Sequence, residues 1–316
     1  MANIAFKANA LFDLTGRIAM VTGGGTGIGY MIARGLAANG AKVYITGRRA
    51  DVLQRVVDTT PKTEGEILAL PMDVTSKDSI LQAKREIETK EGKLHILVNN
   101  AGQVGPTSPF LTDPNAPEVK DGESFGSALF KEDQQGWSDL YSINVFSIFF
   151  TTTAFLGLLE KGTKESNIPG YTSSVINITS ISGVIKLAQD HVCDMNLDTQ
   201  KLTFIRHDQF CYNSAKAAAS HLTKMLSTEF ALKKIPVRVN SIAPGVYASE
   251  MTTDTISAEE VDKIGKGITP VPAQRDGSVE EMAGTAVYLA SKAGCYMNGQ
   301  ELIIDGGYCA VNPAVV

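Results

Sequence analysis

Thr22-Gly23-Gly24-Gly25-Thr26-Gly27-Ile28-Gly29 follows a short apolar stretch, residues 17–21 (RIAMV), and leads into a helical pattern that runs to about residue 39. Glycine has no Cβ, so it tolerates positive φ and lets backbone N–H groups come close to a phosphate. A helix that starts at the end of such a turn adds partial positive charge there. The strict G-x-G-x-x-G order is not met, because Ile28 stands where its third glycine would fall if Gly23 is the first. The spacing is T-G-x-x-x-G-x-G.

Working outward, the same strand-then-helix rhythm repeats. Further strands are predicted at 42–46 (KVYIT), 66–70 (EILAL), 94–98 (LHILV), 174–178 (SVINI), 237–242 and 301–304. Helices are predicted at 51–59, 77–90, 137–159, 214–232 and 279–290. Strands alternating with helices of about a dozen residues imply a mostly parallel sheet covered on both faces. Right-handed crossovers make that sheet doubly wound, with ligands at the carboxyl ends of its strands. The expectation is therefore an α/β chain, residues 1–316, forming a single Rossmann-type domain with about seven parallel strands. Two stretches break the rhythm, at about 103–136 and 184–211. Both follow a predicted strand end, where long loops are usually functional.

Composition narrows the class. Hydrophobic residues make up 43% and charged residues 20%, a globular balance. Acidic residues outnumber basic ones by 34 to 29, for a formal net charge of −5, so no nucleic-acid partner is expected. No uncharged apolar run reaches the roughly 18 residues of a membrane span. The first residues lack the apolar core of a secretory signal, and a cytoplasmic protein is expected. Cys193, Cys211, Cys295 and Cys309 form no C-x-x-C and read as reduced thiols.

Later motifs follow in order. Asn99-Asn100-Ala101-Gly102 closes the fourth strand, Asn144 lies in the next helix and Ser180 follows the fifth strand. Tyr212-x-x-x-Lys216 comes on the helix beyond, Pro244-Gly245 follows the sixth strand, and Asp305-Gly306-Gly307 closes the last. In this order, from about Leu11 to Tyr308, the chain resembles the compact branch of the short-chain dehydrogenase/reductase family. The nearest look is to 3-oxoacyl-thioester reductases and carbonyl reductases of secondary metabolism. The resemblance implies a nicotinamide dinucleotide held by Gly23, Gly25, Thr26, Gly27, Ile28 and Gly29. It also implies that Asp73 and Val74 contact the adenine and that Asn100, Ala101 and Gly102 line the adjoining wall. Pro244, Gly245, Tyr247 and Ser249 are similar to a segment that lies over the nicotinamide, with Ser249 keeping the hydroxyl of the usual Thr.

Charge argues for the phosphorylated cofactor. An acid at the end of the second strand would bond the ribose 2′-OH of NAD. Here Gly47 stands in that place and Arg48 and Arg49 follow. Arg can bind a 2′-phosphate that a carboxylate would repel, so NADP(H) is expected. Thr26 sits where many NADP-dependent relatives carry a basic residue.

Tyr212 and Lys216, four residues apart, share a helix face. Reduction of a ketone needs a proton donor beside its oxygen, and a free phenol titrates near pH 10. A cation ~4 Å away is worth about 4 kcal/mol at an effective dielectric near 20. That would lower the phenol by up to about three pKa units. By resemblance Lys216 also bonds the nicotinamide ribose, Ser180 holds the carbonyl oxygen, with Ser182 as its competitor, and Asn144 holds a water linking Lys216 to solvent.

The chain departs from compact relatives in the length of both irregular stretches. Gly102 to Asn144 spans 42 residues and Ser180 to Tyr212 spans 32. They are read as walls of an enlarged substrate pocket or as subunit contacts. The second contains His191, Cys193, Asp194, His207 and Asp208, with Cys211 at its end. Their spacing matches no trusted zinc pattern, and no metal is expected. Residues 145–159 (VFSIFFTTTAFLGLL) are apolar nearly all round, as in a core or subunit-interface helix. The resemblance implies a homo-oligomer, a tetramer or dimer, with no membrane partner. The expected function is an NADPH-dependent ketone reductase or alcohol dehydrogenase acting on a small molecule, in which Tyr212 gives the proton and the ketone is bulky or polyketide-like. The alternatives are an NAD-linked hydroxysteroid or sugar-alcohol dehydrogenase and, in another class, a non-catalytic NADP-sensing protein.

Overall fold

The computed structural model describes residues 6–186, 209–247 and 271–311. Seven parallel strands form one sheet in the order β3-β2-β1-β4-β5-β6-β7. They are β1 (Ile18–Thr22), β2 (Lys42–Gly47), β3 (Glu66–Pro71), β4 (Ile96–Asn99), β5 (Ser173–Ile178), β6 (Val237–Pro244) and β7 (Glu301–Ile304). The helices are α1 (Ala8–Leu11), α2 (Gly27–Ala38), α3 (Ala50–Thr59), α4 (Lys77–Glu91), α5 (Gly122–Leu129), α6 (Gln134–Tyr141), α7 (Ser147–Lys164), α8 (Phe210–Leu232), α9 (Val279–Ala290) and α10 (Tyr308–Val311).

Alternation along each strand builds two cores. Ala19, Val21, Val43 and Ile45 face α2 and α9, packing with Ile32, Leu36, Met282 and Ala286. Ile18, Met20, Tyr44 and Leu97 face the opposite side, with Ile87 of α4, Phe155 of α7 and Phe230 of α8. A strand buried on both faces has no polar alternation, which is why these segments read as continuous apolar runs. The sheet is doubly wound and Rossmann-type, as the sequence led us to expect. Its order reverses between β1 and β4, so the crevice for a ligand opens beyond Thr22 and Asn99.

A buried polar chain ties the sheet to its helices. Asn99 Nδ2 donates to Thr152 Oγ1 of α7 at 2.9 Å and to Asn177 Oδ1 of β5 at 2.8 Å. Asn177 Nδ2 in turn donates to Thr223 Oγ1 of α8 at 2.9 Å. Each buried amide is thereby satisfied, which fixes β4 and β5 against the helices that carry the site.

Three expectations change. Residues 103–136 are not one irregular stretch: α5 lies within them, capped by the Asp121 carboxylate on Ser124 N–H at 2.8 Å, and α6 begins at Gln134. The alternation of glycine and polar residues hid the periodicity. The helix expected at 137–159 starts earlier and passes through a π-helical turn, Ser142–Phe146, before α7. Residues 145–159 are also not buried all round, since Phe146 and Phe149 are exposed while Ile148, Phe155, Leu158 and Leu159 are buried. By length and composition the run Gln134–Lys164 could cross a membrane, yet half of its most apolar window is buried in the protein. Burial against a sheet is the mark of a core helix.

Candidate active site

Strand β1 ends at a turn that the rest of the fold holds by hydrogen bonds between side chains and backbone. Thr22 Oγ1 accepts from Asn100 N–H at 2.9 Å and Ala101 N–H at 3.0 Å, and Asn100 Nδ2 donates back to the Thr22 and Gly23 carbonyls. Gly23 has φ of +63°, and a Cβ there would meet Asn100 Nδ2 at 3.0 Å. At Gly29 a Cβ would lie 2.3 Å from the Gly23 carbonyl oxygen. Gly29 therefore sets how closely α2 approaches the turn, while Gly23, Gly25, Thr26, Gly27 and Ile28 line the cleft itself. No side chain caps the amino end of α2. Its first N–H groups are left for an anion.

The cleft has a volume of about 640 Å³ and runs from the end of β2 to α8. At the β2 end its walls are Thr46, Gly47, Arg48 and Arg49, with Asp73 and Val74 beyond β3. Both arginines are exposed. The Thr46 hydroxyl is buried with no hydrogen-bond partner among the described residues, so this wall holds an unused polar group. The Asp73 carboxylate is engaged by its own turn, accepting from Thr75 N–H at 2.9 Å and Thr75 Oγ1 at 2.7 Å. Asn100, Ala101 and Gly102 continue the lining past the switch point. This set fits a dinucleotide with an extra phosphate: glycine backbone and free helix amides for the diphosphate, and two guanidinium groups where a carboxylate would exclude charge.

At the far end Ser180, Tyr212 and Lys216 converge, together with Pro244, Gly245 and Tyr247. Ser180 Oγ accepts from Ser182 N–H at 3.1 Å, so its own proton is aimed elsewhere, and the hydroxyl stands near enough to the Tyr212 phenol to lower its pKa. Ser182 gives its backbone N–H to Ser180 and lines the same cleft. Thr179 beside it donates to Glu301 of β7 at 2.7 Å, pinning the loop from below. Lys216 Nζ is buried, donates to the Ile178 carbonyl at 3.0 Å and lies 5.5 Å from the Tyr212 ring centre.

The expected lowering of the phenol by Lys216 is corrected here. Burial pushes Tyr212 up to about 12, partly offset by the Ser180 hydrogen bond. Lys216 itself is brought down to about 8 by the same loss of water. Its ammonium donates to the Ile178 carbonyl and stands 5.5 Å from the Tyr212 ring centre, and desolvation outweighs the attraction assumed from sequence spacing.

Asn144 sits in the π-helical turn and does not line the cleft. Its Oδ1 accepts from Gln103 N–H at 2.9 Å and its Nδ2 donates to the Gln103 carbonyl at 3.0 Å. The side chain thus clamps the segment after β4, and both of its polar atoms are already used. π-Helical turns inside α-helices frequently mark functional sites. Ser249, His191, Cys193, Asp194, His207 and Asp208 lie outside the described residues. Cys211 is fully buried, and burial raises its thiol to about 11.

Residues that sequence reasoning passed over also face the cleft, among them Gln103, Ile181, Gln209 and Val246. Gln209 lies three residues before Tyr212, immediately ahead of α8. A second cavity of about 470 Å³, lined mainly by apolar side chains, adjoins the first through Ile181, Ser182, Val246 and Tyr247. Tyr247 packs its ring on Gly277, and its burial lifts the phenol to about 12.

A doubly wound sheet with a glycine turn at its switch point and a Tyr–Lys pair across the cleft defines a class of nicotinamide-linked oxidoreductases. Comparison with known proteins gives the family. Residues 17–192 match the family profile described as short chain dehydrogenase, and 195–309 match one described as Enoyl-(Acyl carrier protein) reductase. The short-chain dehydrogenase/reductase VdtF of Byssochlamys spectabilis is 37% identical over 98% of both chains. The rhamnolipids biosynthesis 3-oxoacyl-[acyl-carrier-protein] reductase of Pseudomonas aeruginosa is 32% identical over 94% of this chain and 98% of its own. The solved Pseudomonas aeruginosa RhlG/NADP active-site complex superposes with a TM-score of 0.71 at 31% identity, covering 95% of this chain and 98% of that one. The chain belongs to the short-chain dehydrogenase/reductase family and is an oxidoreductase.

Proposed function

We propose that this protein is an NADPH-dependent ketone reductase, reversible as an alcohol dehydrogenase, acting on a bulky or polyketide-like ketone. The observation that carries the reading is the convergence of Ser180, Tyr212 and a buried Lys216 at the end of a cleft whose other end is Gly47-Arg48-Arg49. When bound, the reduced nicotinamide supplies the hydride. Tyr212 gives its proton to the ketone oxygen, and a phenol titrating near 12 is fully protonated at working pH. Ser180, its lone pair taken by Ser182 N–H, donates its hydroxyl to the same oxygen and holds it. Lys216 bonds the ribose hydroxyls and carries positive charge near the phenol in the oxidative direction. Asn144 is a positioning residue that fixes Gln103 and with it the wall made by Asn100, Ala101 and Gly102.

On the cofactor side Gly23, Gly25, Thr26, Gly27 and Ile28 receive the diphosphate, and Gly29 keeps α2 close enough for its N–H groups to reach. Arg48 and Arg49 take the 2′-phosphate, Asp73 and Val74 face the adenine, and Pro244, Gly245 and Tyr247 face the nicotinamide. The RhlG structure was solved with NADP, which agrees with this choice. The 3-oxoacyl reductase relative agrees with a ketone substrate, and the adjoining 470 Å³ cavity provides room for an apolar body. In this reading the chain is a single NADP-binding domain, cytoplasmic, and assembles as a homo-oligomer through faces such as that carrying Phe146 and Phe149.

The test is consumption of NADPH, beside NADH, with pooled ketones that include β-ketoacyl thioesters and cyclic diketones. Loss of nicotinamide absorbance with NADPH in preference to NADH is expected. Binding of NADPH without turnover of any pool would favour the sensing alternative, and preference for NADH would overturn the cofactor assignment.

A further inference from the structure

The buried amides Asn99 and Asn177 belong to a longer row. The strand register places Asn99 beside Asn177, Asn177 beside Ser241 and Ser241 beside Glu301, so one polar layer crosses β4, β5, β6 and β7. Asn99 and Asn177 bond Thr152 of α7 and Thr223 of α8, which puts the row on the sheet face that these helices cover. Glu301 is the charged member of the row and stands on the edge strand. One oxygen of this half-buried carboxylate, Oε1, is met by three hydroxyls: Thr179 Oγ1 at 2.7 Å, Ser241 Oγ at 3.3 Å and Ser220 Oγ. All three hydroxyl residues are buried. Taking a carboxylate out of water is costly unless hydrogen bonds replace its hydration, and bonds to a charge are roughly twice as strong as neutral ones. An aliphatic side chain at this place would avoid that cost, so the three bonds are what keep a charge here.

Two of these hydroxyls adjoin the residues that do the chemistry. Thr179 immediately precedes Ser180, and Ser220 and Thr223 follow Lys216 by four and seven residues. That spacing puts Lys216, Ser220 and Thr223 on one face of α8, turned to the sheet. Each turn of this face is held by a polar bond: Lys216 Nζ to the Ile178 carbonyl, Ser220 to Glu301, and Thr223 to Asn177. Loop and helix also meet through backbone, since a Cβ on Gly183 would stand 2.7 Å from Ala217 N. We propose that Glu301 is a positioning residue of the active site. Its carboxylate ties the loop that carries Ser180 to the helix that carries Tyr212 and Lys216, and so sets the spacing of the groups that hold and protonate the carbonyl oxygen. Glu301 lies outside the cleft lining and acts through Thr179 and Ser220. The proposal rests on Ser180, Tyr212 and Lys216 forming the reductase site described above.

Ser220→Ala, Glu301→Gln and Glu301→Leu test it, read with NADPH and the ketone of the pool above that the wild-type protein reduces fastest. Ser220→Ala removes one bond from a helix that favours alanine, so it answers the question even where a Glu301 variant does not fold. It should lower kcat about three- to tenfold, with KM and the NADPH dissociation constant within about twofold of wild type, because a small misplacement of reacting groups is felt first in the rate. Glu301→Gln keeps an acceptor and should lose less rate than Glu301→Leu. Adding Ser220→Ala to Glu301→Leu should cost no further rate, because both remove the same bond. Amide hydrogen exchange of the ligand-free protein should quicken over residues 178–183 and 210–220 in each single variant and stay unchanged over α2. A structural role alone would lower thermal stability and leave kcat unmoved, or would degrade kcat, KM and NADPH affinity together; either outcome overturns the proposal, as does unchanged exchange over both segments. Faster exchange over both segments in a protein that reduces none of the ketones keeps Glu301 as the tie between them and rejects the reductase reading.

Discussion

The two ends of the cleft are built from different materials. At the β1 end the work is done by backbone: Gly23 in the left-handed region, Gly29 pressed on the Gly23 carbonyl, and helix amides with no side-chain cap. At the α8 end it is done by side chains: Ser180, held by Ser182 N–H, Lys216, held by the Ile178 carbonyl at the end of β5, and Tyr212. A backbone site tolerates no added atom, whereas a side-chain site depends on which polar atom faces which. Damage at the first end should appear as lost cofactor binding and stability, and damage at the second as lost turnover.

The largest separation is expected from Lys216→Met, which should lower kcat/KM on the order of 10²-fold or more. The residue also gives a pH signature. Its ammonium in the ligand-free protein titrates near 8, so the cation is present below that pH and lost above it. Binding of the anionic NADPH should weaken as pH rises from 7 to 9, and fluorescence titration of Lys216→Met should show that dependence flattened. A wild-type affinity that rises over the same range would break the assignment.

Next comes the β2 end. Arg48→Asp replaces a charge-assisted contact by repulsion and should raise the NADPH dissociation constant roughly 10–100-fold, with NADH much less affected. An intact NADPH preference would show that the arginine pair is only a solvated helix start.

Glycine substitutions sharpen the contrast on the stability scale. Gly29→Ala puts a methyl 2.3 Å from the Gly23 carbonyl and should cost about 1–3 kcal/mol in denaturant unfolding, with NADPH affinity falling alongside. Gly126→Ala in α5, where nothing beyond its own stretch of helix lies within 4 Å of the added carbon, should instead gain about 0.5–1 kcal/mol and leave NADPH affinity unchanged. Equal effects at the two glycines would mean that the turn after β1 is not sterically constrained.

The same contrast explains what was legible in the sequence. Strands buried on both faces leave continuous apolar runs, and all seven were placed within a residue or two. The glycine turn and the order of Asn99-Asn100-Ala101-Gly102, Ser180, Tyr212 and Lys216 depend on local geometry, so they could be read in one dimension. Asn144 was found, but its clamp on Gln103 arises from a π-helical turn that no periodicity announces. The phenol of Tyr212 was expected to be acidified by its neighbour, and only the three-dimensional burial shows it raised. Helix α5 was overlooked because Gly122, Gly126 and its serines weaken the apolar pattern.

One measurement tests the central claim most directly: NADPH binding and ketone reduction by wild-type protein and Tyr212→Phe from parallel preparations. The account predicts dissociation constants for NADPH within about twofold of each other and a kcat lower by about 10²–10⁴-fold in the variant, the range a positioned proton donor contributes. A Tyr212→Phe protein that binds NADPH and reduces the ketone at the wild-type rate would contradict it.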